Sequence, residues 1–322
     1  MTMKPKVIAI LCADIHLSHK PPIWRSNEPD WYAAMQRPLD EISNLRLKHQ
    51  CSILCAGDIF DKWNSCPELI NFAIKKLPSR LYCVAGQHDL PNHNLKEIEK
   101  SAFFTLSYTG HMRLLVDGYD MYPNYMLYEV KSNKVDVRGC SYGESLLGHA
   151  PNKRNLKVAI VHDYVWYGKA KYPNAPKEKE IQRMGNHHKF INDKYYGYDV
   201  IVYGDNHLGF THKIGKTTIF NCGTLMRRKS DEVDYKPQVG LLYSDGSVKP
   251  HYLDISKDKH LTADEAKDAE ALEEVDMVMF AEELRKLGSS ALDFSESMKQ
   301  FWTKNKTPQK VKDIILKAMV MK

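Results

Sequence analysis

Five short polar clusters, each set directly after an apolar run, constrain this chain more than any other feature. They are Asp14-Ile15-His16, the Gly-Asp-Ile-Phe-Asp run at 57–61, Gly86-Gln87-His88-Asp89, His162, and Gly204-Asp205-Asn206-His207. The runs before them, residues 7–13, 52–56, 80–85, 158–161 and 200–203, are short and mostly apolar, as expected of strands buried on both faces. Open α/β sheets bind ligands in the crevice beyond the carboxyl ends of such strands. Five strand ends carrying Asp, His or an amide would form one rim of hard oxygen and imidazole donors, a mixture that suits divalent metals and phosphoryl chemistry.

Between these runs, apolar spacing predicts three helices. The first covers residues 31–49 with Met35, Leu39, Ile42, Leu45 and Leu47 along one face; the second covers 67–77 with Pro67 in its first turn; the third covers 95–106. From 112 to 140 the pattern changes to short alternating strands with turn signals at Asp117-Gly118 and Ser132-Asn133. Helix-linked strands followed by hairpins predict an α/β fold with two sheets packed face to face and helices outside, a four-layer α/β/β/α sandwich. Further strands are expected at 217–221, 239–243 and 248–255. Two long connections interrupt this order. Residues 17–30 hang off the first cluster, and Trp24 within them is placed either to stack on an unpaired base or to anchor its own loop. Residues 168–189 follow His162 and end in Asn186-His187-His188. Connections of this length are binding elements or disordered.

A length of 322 residues and 43% apolar content support one large catalytic domain, residues 1–255, followed by a small helical segment, 256–322. In that segment helices are expected over 264–287, 293–302 and 308–321. Phe294, Met298, Phe301 and Trp302 form an aromatic stripe that either docks a partner or packs on the protein's own sandwich. No run approaches the ~18 apolar residues of a membrane span, and no targeting segment precedes the first strand. Seven cysteines without Cys-x-x-Cys spacing read as reduced core residues of a cytoplasmic protein. The net charge is +6; residues 256–322 carry 12 Lys and Arg against 13 Asp and Glu, which leaves +7 on residues 1–255. That excess is compatible with a polyanionic substrate.

The ordered clusters resemble the calcineurin-like metallophosphoesterases, whose pattern runs D-x-H, G-D-x-x-D, G-N-H-D, H, G-H-x-H. The first two elements stand intact here, the third reads Gly-Gln-His-Asp and the fifth Gly-Asp-Asn-His. Within that superfamily the chain is most similar to the SbcD-type exonuclease subunits of double-strand-break repair nucleases. The similarity rests on the run at 57–61 and on the Asn-Cys-Gly-Thr-Leu-Met-Arg-Arg run at 221–228, close to the N-P-G-S-L-x-R-x run found there.

The resemblance implies two divalent ions, with Mn2+ favoured and Mg2+ or Fe2+ as alternatives. Position by position it assigns Asp14, His16 and His207 to the first ion, Asp58 to both, and Gln87, His162 and Asp205 to the second. It makes His88 the group that protonates or stabilises the leaving oxygen, Asp89 the group that orients His88, and Asp61 a hydrogen-bond acceptor behind the ligands. Both departures fall on the second ion, where the family's Asn is Gln87 and its His is Asp205. With two divalent ions and one hydroxide, a third carboxylate brings the formal charge of the core from about +1 to about zero. That disfavours Zn2+ relative to Mn2+ or Mg2+ and predicts a weaker second site. The implied activity is phosphodiester hydrolysis, with DNA as substrate. Arg227 and Arg228 are candidate contacts to the phosphate backbone, and an SbcC-type coiled-coil ATPase is the implied partner of the C-terminal helices. A phosphatase or small-molecule phosphodiesterase on the same centre, a non-catalytic scaffold of the same fold, and a homodimer all stay open from sequence.

Overall fold

Alternation within each apolar run decides the layering. In the computed structural model the described residues are 4–115, 135–146, 155–181 and 197–262, with 264–265, 301–305, 307–309 and 311–312. Among the described residues, eleven strands form two sheets. The first contains β1 (Val7–Cys12), β2 (Ser52–Cys55), β3 (Leu81–Cys83), β4 (Arg113–Leu114), β10 (Gln238–Tyr243) and β11 (Val248–Tyr252); the second contains β5 (Val135–Cys140), β6 (Leu156–His162), β7 (Val200–Gly204), β8 (Phe210–Ile214) and β9 (Thr217–Asn221). Their orders are β11-β10-β1-β2-β3-β4 and β5-β6-β7-β9-β8. β1 to β4 run parallel, as do β5, β6, β7 and β9, so the ends of β1, β2 and β3 carry their polar clusters on one edge of the first sheet and β6 and β7 do so in the second.

Along β1, Ile10 and Cys12 face one way while Leu11 and Ala13 face the other. A register shift against β10 between Val7 and Ala9 sets this phase, because an extra residue in one strand reverses the facing of the residues beyond it. Ala9, Leu11, Leu54, Val84, Val137, Ile160, Val202 and Phe220 fill the layer between the sheets. The opposite face of the first sheet packs on α1 (Trp31–His49), α2 (Pro67–Lys76) and α3 (Ala102–Tyr108). α1 starts where the Asp30 carboxylate accepts the Ala33 amide at 3.0 Å, and stops at Gln50 in the left-handed region. It buries Met35, Leu39, Ile42 and Leu45, each worth ~1.5–3 kcal/mol. Leu47 falls off that stripe and is 60% exposed. The outer face of the second sheet is met, among the described residues, by the segment that follows β6, through Val165, Tyr167, Ala170 and Ile181. Two sheets face to face with flanking helices make the fold the expected metallophosphoesterase sandwich.

Two expected elements differ. The helix expected over 95–106 is a 3-10 stretch, Leu95–Lys100, followed by the separate α3. Ser101 divides them: it is extended, its hydroxyl donates to Ile98 O at 2.6 Å and accepts the Phe104 amide at 3.1 Å, so it caps a new helix instead of continuing the old one. The hairpin pattern at 112–140 also fails at its flanks. β4 pairs with β3 and β5 with β6, in different sheets; the turn signals between them lie outside the described residues.

The chain divides into two compact units, Met1–Pro22 with Glu28–Lys259, and Ile23–Asn27 with His260–Lys322. The first holds both sheets. In the second, the Trp24 ring stacks on His260 at 4.9 Å and 6°, the Leu261 amide donates to Trp24 O, and the Asn27 side-chain amide donates to His260 O. Of the two readings of Trp24, this is the anchoring one. Phe301 and Trp302 are buried, whereas Phe294 and Met298, like His187 and His188, lie outside the described residues. Among the described residues no helix is long and apolar enough to cross a membrane.

Candidate metal centre

Three of the five polar clusters break their strands through a backbone conformation that few side chains adopt. Asp14, His16, Asp58 and Asp205 all have positive φ, between 48° and 75°, a conformation costing on the order of 1 kcal/mol or more per residue unless the surroundings enforce it. The enforcement is visible. Amides of Asp14 and His16 donate to Gly57 O and Asp58 O, and the Asp205 amide donates to Asp14 Oδ1 at 3.0 Å. Gly57 (φ 93°) and Gly86 let the chains come this close: a Cβ at the first would strike His162, and at the second the Asp58 carboxylate.

One half of the centre gathers Asp14, His16 and His207. The Nε2 atoms of the two imidazoles stand 3.1 Å apart, close to the spacing of two nitrogens that each lie ~2.0–2.1 Å from one ion. His207 Nδ1 donates to Glu232 Oε1 at 2.9 Å, which leaves Nε2 as the ligand nitrogen. Burial opposes ionisation of Glu232, but the His207 ring and the amides of Arg228 and Lys229 hold it below the usual carboxylate range. The other half gathers Gln87, His162 and Asp205. His162 Nδ1 is bonded to Ala56 O, turning Nε2 toward Gln87 Oε1 and Asp58 Oδ2. Gln87 Nε2 donates to Asp205 Oδ1 at 2.6 Å. The two residues that depart from the family pattern are therefore hydrogen-bonded to each other. Asp58 lies between the halves, its Oδ2 3.7 Å from His16 Nε2 and 3.5 Å from His162 Nε2.

These donors fit divalent ions. Asp14 Oδ2 and Asp58 Oδ2 are buried without a hydrogen-bond partner, which is costly unless a cation completes the site. Burial, with Asp58 and Asp205 adding to it, pushes the Asp14 carboxyl well above the usual carboxylate range despite the nearby His162; a cation in their midst removes that penalty. Burial and then the Arg228 guanidinium push His16 well below the usual imidazole range, toward the neutral form that binds metals.

Three expected roles need correction. Asp89 does not touch the His88 ring. Its buried carboxylate accepts the amides of Ile59, Phe60 and Gly86 at 3.0–3.3 Å and so ties the second cluster to the third. His88 is oriented by Asp61, whose carbonyl accepts from Nδ1 at 2.9 Å. Arg227 is buried, donating to Val233 O and paired with Asp258. Arg228 reaches the centre, but as a brace: it donates to His16 O and to Asp61 Oδ1, both at 2.6 Å. Each guanidinium is engaged by carbonyl and carboxylate groups of its own chain. Two contributors escaped the sequence reading. Glu232 has no motif to mark it. Asn206, the middle residue of the fifth cluster, donates to Val165 O and Ala170 O at 2.8 Å and ties the segment after His162 to the centre. That segment brings Tyr172 within 6.2 Å of the His207 ring, stacked on Tyr164.

Among solved structures, a putative 5'-nucleotidase from Staphylococcus aureus is 13% identical with a TM-score of 0.46, covering 82% of this chain and 58% of its own. The Bacillus subtilis calcineurin-like phosphoesterase YfkN is 11% identical with a TM-score of 0.43, covering 83% of this chain and 96% of its own. The phosphoesterase Yfce of E. coli is 12% identical with a TM-score of 0.32, covering 76% and 99%. The chain spans about three fifths of the length of the first two structures it matches. A search of curated proteins finds no match. The family model of the calcineurin-like phosphoesterases matches residues 9–209, a stretch that contains every ligand candidate, and the chain belongs to that metal-dependent family.

Proposed function

We propose that this protein is a metal-dependent phosphodiesterase that cleaves DNA, resembling the SbcD-type exonuclease subunits, with Mn2+ as its preferred ion. The observation that carries the hydrolytic reading is the convergence of Asp14, His16, Asp58, Gln87, His162, Asp205 and His207 on one centre, with buried carboxylate oxygens lacking any hydrogen-bond partner. Two divalent ions held there would supply Lewis acidity and a template for in-line displacement at phosphorus. The chain's own contribution is orientation and proton delivery. Asp61 O fixes the His88 ring through Nδ1, so Nε2 is the nitrogen presented to a leaving oxygen. The ring stands edge-on to His16 at 5.0 Å, beside the first donor set.

Support for DNA comes from the run at 221–228. The Leu225 amide and Thr224 hydroxyl both donate to Asp14 O, the Thr224 amide donates to His207 O, and Arg228 holds His16 O. The run resembling the nucleases is thus the brace of the first donor set. Exposed Lys62 and Trp63 follow Asp61 directly, and exposed Lys169, Lys171 and Lys229 lie on the segments that frame His207; cations and an aromatic ring are the groups that hold a single strand. One observation favours a second reading. With both arginines engaged internally, the residues suit a small phosphodiester that needs no groove.

An assay of the purified chain with Mn2+ on linear DNA, run beside a chromogenic phosphodiester, separates the two. The DNA reading expects nucleotide release that chelator abolishes and Mn2+ restores. Turnover of the small ester alone, with no DNA affinity at low salt, would install the second reading in its place.

A further inference from the structure

Outside the catalytic centre, His19, Cys66 and Glu68 bring an imidazole, a thiol and a carboxylate together with their ligand atoms all within 4.8 Å of one another. We propose that these three residues form a separate site for one thiophilic divalent cation, Zn2+ or an ion of similar chemistry, that clasps the loop after the first cluster to the start of α2.

The argument begins with position. His19 follows Ser18 on the loop that bears His16; Cys66 is the residue before α2 and Glu68 lies in its first turn. Pro67 fixes the backbone between the two, and the Cys66 side chain makes no capping bond to the helix. His19 Nδ1 already stands 3.6 Å from Glu68 Oε2, against ~3.3 Å for two N or O ligands ~2.0–2.1 Å from a tetrahedral ion. The Cys66 sulfur already lies within 4.8 Å of both partner atoms. A cavity of about 340 Å³ opens beside them, lined by His19, Cys66, Lys20, Lys62 and Asp61, which gives room for an ion and a water. The Tyr32 hydroxyl sits 3.1 Å from His19 Nδ1, so it marks the direction from which a cation would be held and must yield that nitrogen when one binds.

Chemistry separates this site from its neighbour. The catalytic donors are oxygen and imidazole nitrogen only, whereas here a thiol is one of three, and soft sulfur selects Zn2+ over Mn2+ or Mg2+. Of the seven cysteines, the other six are buried and Cys66 alone is partly exposed. The His19 and Glu68 side chains are 52% and 68% exposed, so the ion exchanges freely with solvent and binds less tightly than in a closed structural site. Its effect is local: it joins the segments that carry His16 and Asp61.

Titration of the reduced full-length protein with Co2+ tests this directly, because thiolate-to-cobalt charge transfer reports sulfur ligation and the catalytic donors contain none. The band should appear as added Co2+ exceeds what the catalytic donors take up, rise to a plateau, vanish in Cys66→Ser, weaken strongly in His19→Ala, and persist in Asp205→Ala. Bound Zn2+ should also slow alkylation of Cys66 by about tenfold or more, since the coordinated thiolate is no longer the free nucleophile. Thermal unfolding of each variant in metal-free buffer confirms that it is folded. No charge-transfer band at saturating Co2+, an undiminished band in Cys66→Ser, or alkylation indifferent to Zn2+ would each overturn the proposal. None of these readouts depends on what the catalytic centre cleaves.

Discussion

The two halves of the metal centre are held in different ways. Behind His16 and His207 stand groups that are not themselves donors: Glu232 on the His207 ring, Arg228 on His16 O, and Thr224 and Leu225 on Asp14 O. Gln87 and Asp205 instead hold each other through their side chains, and the supports from outside this half are Ala56 O on the His162 ring and Asp14 Oδ1 on the Asp205 amide. A scaffolded half tolerates loss of one donor without moving the rest. A self-supporting half changes as a unit, which accounts for both departures from the family pattern lying on one hydrogen bond.

The largest effect expected lies outside both halves. His88→Ala should lower turnover by ~10²–10⁴-fold while metal content stays at the wild-type value, because the ring is held by Asp61 O and not by either donor set. Quantifying bound Mn2+ beside the rate decides this. A variant that loses an ion along with its turnover would place His88 among the ligands and redraw the division between halves.

Next in size is the scaffold of the first half. Glu232→Gln should weaken its ion by ~10–100-fold, since the amide no longer accepts a full charge-assisted bond from His207 Nδ1. Titration calorimetry with Mn2+ should show the tighter event weakened and the looser one unmoved. Equal loss in both events would mean that the halves are not separately supported.

Glu232 also shows where the sequence stops being legible. The five strand ends, their donors and the bounds of α1 follow from local pattern, because period and residue type are local properties. Glu232 is 25 residues from His207, and nothing but the packed fold brings them together. Asp89 misled for the opposite reason. The resemblance pairs it with His88, but Asp89 points inward onto three amides, and adjacent residues need not face each other. Arg227 and Arg228 read as a surface charge run until their carbonyl and carboxylate partners are seen. Ser101 is a milder case: one hydroxyl with two backbone partners divides a helical pattern that periodicity alone carries through.

Within the second half, Gln87→Ala and Asp205→Ala should not be additive. Their bond joins an amide to a charged acceptor, so the coupling expected in a double-mutant cycle of the looser Mn2+ event is about 0.5–3 kcal/mol. The first event should be unchanged in all three variants. Additive losses would mean that each residue acts on the ion alone, and the self-supporting description of this half would fail.

The smallest expected effect is a change of slope. If DNA is held by exposed lysines and not by the arginine pair, Lys171→Ala with Lys229→Ala should flatten the dependence of log affinity on log salt by about 2, roughly one for each phosphate no longer neutralised. Arg227→Ala should change that slope by much less than about 1, because its guanidinium is engaged by Val233 O and Asp258. It should appear instead as a loss of stability, since removing it strips partners from buried groups. Binding measured across a salt series, beside unfolding of the same proteins, keeps the two effects apart. A full unit of slope lost in Arg227→Ala at wild-type stability would return that arginine to the DNA path. It would also show that the bracing of the first half and the grip on substrate share the same run of chain.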